Sequence, residues 1–194
     1  MYCGDFSILG DGPAPDQMLT IQDSPFWTVH PYASSNIHIQ YLNISNDPGR
    51  DAHGGRIAPN TDGIDPDSCT DVVIQDCVLT TGDDGVAVKS GFNQAGITFN
   101  RPTANVTVRN VSVTTGCCNG FCIGSETSGG VRDILFENVT ATGGTGSAFT
   151  VKTAAGRGAY VRNVTFQDAL IGSAGNGLTV NEHYGGSCVE PACN

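Results

Sequence analysis

The chain has 194 residues, which is enough for one domain with its own core. Its 26 glycines and its charged content of 14% are atypical of a helical protein, and the net charge of −10 disfavours binding to nucleic-acid phosphates. No run of 18 apolar residues is present to span a membrane. We therefore expect one β domain over residues 1–194, monomeric, with no nucleic-acid or membrane partner.

Two kinds of short β-prone segment alternate along the chain, each with an apolar residue at every second position. The first kind is NIHIQYLNIS, DVVIQDCVLT, NVTVRNVSVT, DILFENVTAT and NVTFQDALIG, at 36–45, 71–80, 105–114, 133–142 and 163–172. The second kind is GVAVKS, GFCIGS, AFTVKT and GLTVNE, at 85–90, 120–125, 148–153 and 177–182. Successive copies lie 28 to 35 residues apart, and this period is typical of stacked repeats.

These repeats predict an all-β fold, a parallel β-helix built as a single-stranded solenoid. Two short strands cannot bury their apolar faces alone, but copies that run in the same direction can stack into a continuous interior. The inward ladder is predicted to be Ile37, Val72, Val106, Ile134 and Val164. Spacers 46–59, 91–103 and 115–118 are expected to be loops that border a groove on one sheet. The glycine-rich ends lack obvious caps, so we expect the domain to be incomplete at one or both ends.

The eight cysteines and five N-glycosylation sequons favour a secreted, partly disulfide-bonded glycoprotein. Cys188 and Cys193 are a candidate disulfide pair. The alternative is that some cysteines are small buried hydrophobes of a β core. The cysteine spacing does not match a zinc site, and no metal or other cofactor is predicted. The sequons begin at Asn43, Asn105, Asn110, Asn138 and Asn163, and most lie inside the repeat, so repeat composition alone could produce some of them.

An acidic column is predicted at the start of the second strand of the repeat. The segment DGID (62–65) aligns with DGVA (84–87) at a step of 22 residues, about one coil, and TGDDGVAVKS aligns with GCCNGFCIGS. Asp62, Asp84 and Asn119 then form one stacked column, with Asp83 beside it. Neighbouring carboxylates raise the pKa of at least one member. A protonated carboxyl beside an ionised one is what glycosidic-bond cleavage requires.

Each aspartate motif also has a structural interpretation, because Asp in NTDG or GDDG is common turn chemistry. The occurrence of both motifs one coil apart favours the functional interpretation. Lys89 and Lys152 occupy equivalent positions in the second strand, two coils apart. Either could be a surface lysine, but on the sheet that carries the carboxylates they could bind an acidic sugar.

Five motifs in order resemble the polygalacturonase family, glycoside hydrolase family 28, over roughly residues 24–166. They are SPFWTVHP (24–31), NTDGIDPDSC (60–69), TGDDGVAVKSG (81–91), IGSETSGGVRDI (123–134) and VKTAAGRGAYVRNVTF (151–166). The resemblance implies a right-handed parallel β-helix that hydrolyses α-1,4 linkages in pectin with inversion and without a metal. The implied partner is an acidic polysaccharide outside the cell.

The resemblance also implies residue roles. Asp83 resembles the general acid that protonates the leaving oxygen, and Asp62 and Asp84 resemble the pair that deprotonates the attacking water. An inverting enzyme separates acid and base by about 6.5–9.5 Å so that water fits between them. Lys152 resembles the lysine that binds the substrate carboxylate. The other predicted substrate-facing residues are Asn119, Arg157 and Asn60, of which Asn60 also shapes the NTD turn.

The match breaks at two motifs that face the substrate. Where the family has Gly-His-Gly, the chain has Cys118, Asn119 and Gly120, and an asparagine cannot titrate. Where the family has Arg-Ile-Lys, it has Thr150, Val151 and Lys152, which removes a guanidinium able to grip a carboxylate at two points. The missing imidazole could come from the histidines at 53 or 183, although both are more typical of surface histidines.

Several functions remain open from the sequence alone. The favoured one is a secreted inverting hydrolase of α-1,4-galacturonosidic linkages. The alternatives are a hydrolase of rhamnogalacturonan or of substituted galacturonan, and a catalytically impaired homologue that binds pectin. A structural or adhesive solenoid and a calcium-dependent pectate lyase fit the motifs less well.

Overall fold

The computed structural model describes residues 3–185 except 145 and 159. Within this part the strands are β1 (Gly4–Leu9), β2 (Leu19–Gln22), β3 (Ser35–Gln40), β4 (Leu42–Ser45), β5 (Thr70–Thr81), β6 (Val86–Val88), β7 (Thr103–Thr115), β8 (Phe121–Ile123), β9 (Val131–Thr142), β10 (Ser147–Lys152), β11 (Val161–Ile171) and β12 (Asn176–Asn181). One helix, α1 (Asn93–Phe99), lies between β6 and β7.

The strands form two parallel sheets. The larger sheet has the order β1-β3-β5-β7-β9-β11, with β4 beside β5 and β2 beside β4, and the smaller sheet has the order β6-β8-β10-β12. Each pairing between these strands is parallel. Neighbours within a sheet come from successive repeats, so the chain coils into the predicted parallel β-helix.

The predicted inward ladder is confirmed. Ile37 pairs in register with Val72, Val72 with Val106, Val106 with Ile134, and Ile134 with Val164. The first four side chains are at most 2% exposed, and Val164 is half-buried. Because side chains alternate faces along a strand, every second residue of each copy reaches the interior and stacks on its equivalent one coil away.

An aromatic cluster joins the two sheets near the later coils. Phe121 of β8 and Phe149 of β10 come from the smaller sheet, and Phe136 of β9 and Phe166 of β11 come from the larger one. Their ring centroids lie 4.3 to 5.8 Å apart, within the range of favourable aromatic pairs. The cluster therefore fixes the distance between the sheet that carries the site and the sheet behind it.

A column of asparagines and aspartates marks the bend at which each coil enters the larger sheet. We call it the bend ladder, and its members are Asn36, Asp71, Asn105, Asp133 and Asn163, with φ between 51 and 59°. Asparagine and aspartate tolerate this left-handed conformation better than other residues with a Cβ. The amide of Asn105 donates to Asp71 at 2.6 Å, and that of Asn163 donates to Asp133 at 2.6 Å. The repeat thus selects these residues for backbone reasons.

Four sequon asparagines belong to such bends. Asn105 and Asn163 lie in the bend ladder, whereas Asn110 and Asn138 form a second bend with φ of 53 and 48°. The amide of Asn138 donates to the Asn110 side chain at 2.8 Å. Asn43 instead lies in β4. These contacts agree with the interpretation that repeat composition produces some of the sequons.

The spacers differ in one respect from the prediction. Residues 91–103 do not form only a loop, because α1 occupies Asn93–Phe99 and ends at Asn100 in the left-handed conformation, with φ of 47°. A seven-residue helix is too short for its sequence pattern to stand out. In the described part of the chain, no helix has the length and apolar character to cross a bilayer.

The cysteines that the structure describes fall into three groups. Cys69, Cys77 and Cys122 are buried and free, as the buried-hydrophobe alternative predicts, whereas Cys3 is free and exposed. The adjacent residues Cys117 and Cys118 are joined to each other by a disulfide. The candidate pair Cys188–Cys193 lies outside the described residues.

Candidate active site

The predicted acidic column forms as the alignment requires. Ile64 bridges to Val86, and Val86 pairs with Phe121, which places Asp62, Asp84 and Asn119 on three successive rungs. Backbone hydrogen bonds continue between these rungs, from Gly63 N to the Asp84 oxygen and from Gly85 N to the Asn119 oxygen. Stacked rungs are about 4.8 Å apart, so equivalent side chains meet.

The three aspartates converge at the edge of a cleft of about 490 Å³. One carboxylate oxygen from each of Asp62, Asp83 and Asp84 lies within 4.8 Å of the other two. A single water between Asp62 and Asp84 can therefore donate to both carboxylates at normal hydrogen-bond lengths. The nearest oxygens of the three carboxylates are thus closer than the separation of about 6.5–9.5 Å expected between the acid and the base of an inverting enzyme, and a water placed between Asp62 and Asp84 would also lie close to Asp83.

Asp84 is held ionised by its neighbours. Lys152 Nζ lies 2.5 Å from Asp84 Oδ2, and the backbone N and side-chain Nδ2 of Asn119 donate to Asp84 Oδ1 at 2.9 and 2.8 Å. Burial raises the pKa of Asp84, but the charge and hydrogen bond of Lys152 and the two donors of Asn119 outweigh burial and lower it below its usual value.

The charge of Asp62 is less well compensated than that of Asp84, because Asp62 shares its cation with two other carboxylates. Burial, together with the charges of Asp84 and Asp83, raises the pKa of Asp62 to about 6, although Lys89 opposes this rise. Lys89 Nζ lies 3.4 Å from Asp62, 3.8 Å from Asp65 and 3.2 Å from Glu126. One ammonium therefore serves three carboxylates, and Asp62 receives only part of its stabilisation.

Asp65 and Trp27 complete the surroundings of Lys89. Asp65 is fully buried, neither of its carboxylate oxygens has a hydrogen-bond partner among the described residues, and burial raises its pKa well above the usual value. Lys89 Nζ also lies 4.3 Å from the centre of the Trp27 ring, a cation–π contact. Lys89 and Trp27 line the cleft together with Asp62, so this network of charges borders the cleft directly.

Asp83 receives three donors. Its Oδ2 accepts from Arg56 Nη1 and from the backbone N of Asn60 at 3.1 Å, and its Oδ1 accepts from the backbone N of Asp84 at 3.0 Å. Asn60 has a φ of 56°, so it shapes the turn as expected, and it lines the cleft. Arg56 was not singled out from the sequence, since it lies in spacer 46–59, which has no repeat partner.

Only some of the predicted substrate-facing residues line the cleft. Lys152 lines the cleft, but its side chain is 7% exposed and its amine is engaged by Asp84. Asn119 Oδ1 accepts from the Thr150 hydroxyl at 2.7 Å, so the two departures from the family motifs form one hydrogen-bonded pair. Arg157 is not among the residues that line this cleft; its Nε donates to the Ser125 oxygen at 3.0 Å.

Neither candidate histidine supplies an imidazole to the described site. His53 lies exposed in spacer 46–59, and His183 lies exposed beside a separate cavity of about 690 Å³. Both fit the surface-histidine interpretation. A cluster of three carboxylates could also hold a metal ion, but here Lys89, Lys152 and Arg56 already contact its members.

The family follows from comparison with known proteins. A family model described as "Glycosyl hydrolases family 28" matches residues 17–193. A "Probable polygalacturonase" of Vitis vinifera is 42% identical over 164 residues, covering 84% of this chain and 30% of the relative. "Exopolygalacturonase rpg16" of Rhizopus delemar is 29% identical over 185 residues, covering 90% of this chain and 44% of the relative. The chain belongs to glycosyl hydrolases family 28.

Solved structures agree on the fold. The exopolygalacturonase of Thermotoga maritima superposes with a TM-score of 0.74 at 33% identity, covering 85% of this chain and 35% of that one. A polygalacturonase of Erwinia carotovora superposes with a TM-score of 0.69 at 23% identity and covers 85% of this chain and 39% of that one, which supports the fold alone. The chain spans 30% and 33% of the length of two of its curated plant relatives.

Proposed function

We propose that this chain carries the catalytic carboxylates of an inverting polygalacturonase, which hydrolyses α-1,4-galacturonosidic linkages in pectin outside the cell. The observation that carries the proposal is the convergence of Asp62, Asp83 and Asp84, with nearest oxygens within 4.8 Å, in the cleft of a family 28 member. Its relatives in Vitis vinifera and Rhizopus delemar, named as a probable polygalacturonase and an exopolygalacturonase, support the same substrate class.

The proposed reaction is a single displacement. A water held between Asp62 and Asp84 attacks the anomeric carbon and gives its proton to one of these carboxylates. Asp83 donates a proton to the glycosidic oxygen as the bond to the leaving sugar breaks. Lys152 keeps Asp84 ionised, and the pKa of about 6 makes Asp62 a base able to accept a proton near that pH.

Reducing-sugar release from polygalacturonate tests the assignment. We expect the complete protein to release reducing ends and Asp83→Asn to release them about 10²–10⁴-fold more slowly, because the amide cannot donate the proton. Asp133→Asn, in the bend ladder on the other sheet, is the matched control and should keep wild-type turnover. Equal release by wild type and Asp83→Asn would remove the role of Asp83.

The stereochemistry is a separate observable. Proton NMR of the first product should show the β anomer, because a single displacement at an α linkage inverts the configuration. An initial α anomer would contradict the proposed single displacement but would leave the assignment as a hydrolase unaffected.

Product analysis on homogalacturonan and rhamnogalacturonan would distinguish the favoured substrate from the alternative backbone.

A specific observation also favours a second candidate, a homologue that binds pectin without turnover. Arg56 engages Asp83, and Asn119 replaces the titratable residue of the family motif. This candidate predicts measurable binding to polygalacturonate, no release of reducing ends, and little change in binding on Asp83→Asn.

A further inference from the structure

The substrate carboxylate needs an accessible cation, and the two lysines of the site are poorly placed for it. Lys89 and Lys152 have side chains that are 4% and 7% exposed. Each contacts a carboxylate of the protein itself, Lys89 at 3.2 Å from Glu126 and Lys152 at 2.5 Å from Asp84. Their charges stabilise the buried aspartates, so little remains to attract a sugar carboxylate.

Arg56 is different in exposure and origin. Its side chain is 33% exposed and lines the cleft, and it comes from spacer 46–59 instead of the second strand of a repeat. Arg50 and Arg56 form an antiparallel bridge within this loop, and both line the cleft. Because a guanidinium presents five donors in a fixed plane, it suits a carboxylate better than an ammonium does.

The guanidinium of Arg56 lies between the carboxylate of Asp83 and the sulfurs of Cys117 and Cys118. Its side-chain hydrogen bonds to described residues are made by Nη1, which donates to Asp83 and lies 3.4 and 3.3 Å from the sulfurs of Cys117 and Cys118. The disulfide between these adjacent cysteines therefore sits beside the guanidinium, next to the catalytic carboxylate. An acidic sugar at the scissile bond would meet Arg56 there.

The strand position at which the family motif carries an arginine has no cation here. Thr150 occupies this position. Its hydroxyl donates to Asn119, and the residue is buried, with 5% of its surface exposed. We propose that Arg56 binds the carboxylate of the galacturonate next to the scissile bond and gives the site its preference for acidic sugars. This inference rests on the proposed function and deepens it, since it names the residue that selects the substrate.

A consequence for Asp83 follows from hydrogen-bond chemistry. Arginine can only donate, so a protonated Asp83 cannot keep its acidic hydrogen between Oδ2 and Arg56. When the substrate carboxylate accepts from Arg56, the guanidinium is drawn from Oδ2, and this oxygen can carry the proton that goes to the leaving sugar. Binding of the substrate carboxylate thereby frees Asp83 to carry the proton of the general acid, and Arg56 connects the two events.

Substrate-charge selectivity is the measurement that tests the inference. Binding of a galacturonate oligomer is compared with binding of the same oligomer after its carboxyl groups are reduced to alcohols, by calorimetry on the complete protein. We expect wild type to bind the acidic oligomer at least about tenfold more tightly, the range of one charged hydrogen bond. Arg56→Gln should lose most of this preference, and Arg56→Lys should keep part of it.

The matched control is Arg109→Gln. Arg109 is exposed on the larger sheet, where its Nε donates to Gln75 at 2.8 Å, and its replacement should leave the preference unchanged. A purely structural role for Arg56 would weaken binding of both oligomers equally, and that result would overturn the inference. A wild-type protein that cleaves the acidic oligomer while Arg56→Gln keeps the full preference would overturn it too.

The failure of the proposed function gives a different pattern. If wild type binds neither oligomer and releases no reducing ends, the polygalacturonase proposal fails, and the role of Arg56 fails with it. If wild type binds the acidic oligomer selectively through Arg56 but releases nothing, the Arg56 inference stands and the non-catalytic candidate is supported.

Discussion

The bend ladder and the acidic column are built by the same stacking but balance charge in opposite ways. In the bend ladder, amides alternate with carboxylates, so Asp71 and Asp133 each accept from an asparagine on an adjacent coil. In the acidic column, Asp62 and Asp84 lie on adjacent rungs, and buried lysines supply the opposite charge. Stacked carboxylates at the site are therefore accompanied by buried ammonium groups: Lys152 contacts Asp84, and Lys89 is shared by Asp62, Asp65 and Glu126.

Removing the cation of the acidic column should have the largest effect. Lys152→Met leaves Asp84 buried with an uncompensated charge, and we expect the free energy of unfolding to fall by about 3–5 kcal/mol in urea denaturation. The double variant Lys152→Met with Asp84→Asn should recover most of this loss. In the bend ladder, where solvent screens Asp133, Asp133→Asn should leave the urea midpoint close to that of the wild type. Equal losses at the two sites would remove the distinction between the columns.

The pH dependence distinguishes the two aspartates of the column. If Asp62 is the base, kcat/KM should fall about tenfold per pH unit below pH 6, because Asp62, whose pKa is raised to about 6, becomes protonated. The stability of the fold should change with pH in the opposite direction to the activity. The stability gained from protonated Asp62 is fully present below pH 3.8 and is lost as the pH rises through about 6. A pH–rate profile with no limb near pH 6 would contradict this assignment.

The contribution of Asp84 to stability should depend on pH in the opposite direction to that of Asp62. Its pKa is lowered, so its contribution to stability is present above pH 3.8 and is lost as the pH falls through the pKa that Asp84 has in the folded protein.

Removing Lys89 should raise the pKa of Asp62 further and move the acidic limb of the pH–rate profile to higher pH. Lys89→Met that left the limb in place would show that the ammonium does not act on Asp62.

The smallest effect is expected in the bend ladder itself. Asn105→Ala loses an exposed hydrogen bond and forces alanine into a φ of 56°, which together should cost about 1–2 kcal/mol. Asn105→Gly keeps the backbone freedom and should cost about half of that or less. Thermal unfolding measures both, and equal losses would show that the side-chain hydrogen bond, not the backbone, selects asparagine here.

Part of the site could be predicted because the repeat fixes register. Since one coil advances each strand by one rung, alignment of DGID with DGVA was enough to stack Asp62 on Asp84, and Asn119 followed from the next copy. The equivalence of Lys89 and Lys152 came from the same alignment. The engagement of these lysines with carboxylates could not be predicted, because a strand position does not show which neighbour an amine contacts.

The coil, its inward ladder and the stacking of the acidic column follow from the residue pattern, because periodic apolar residues and a constant strand spacing leave one arrangement. Three contacts became visible only in the folded chain: Arg56 with Asp83, Lys89 with its three carboxylates, and Thr150 with Asn119. These contacts join residues from a spacer or from different coils, whose side-chain directions depend on packing and charge compensation and have no period to reveal them.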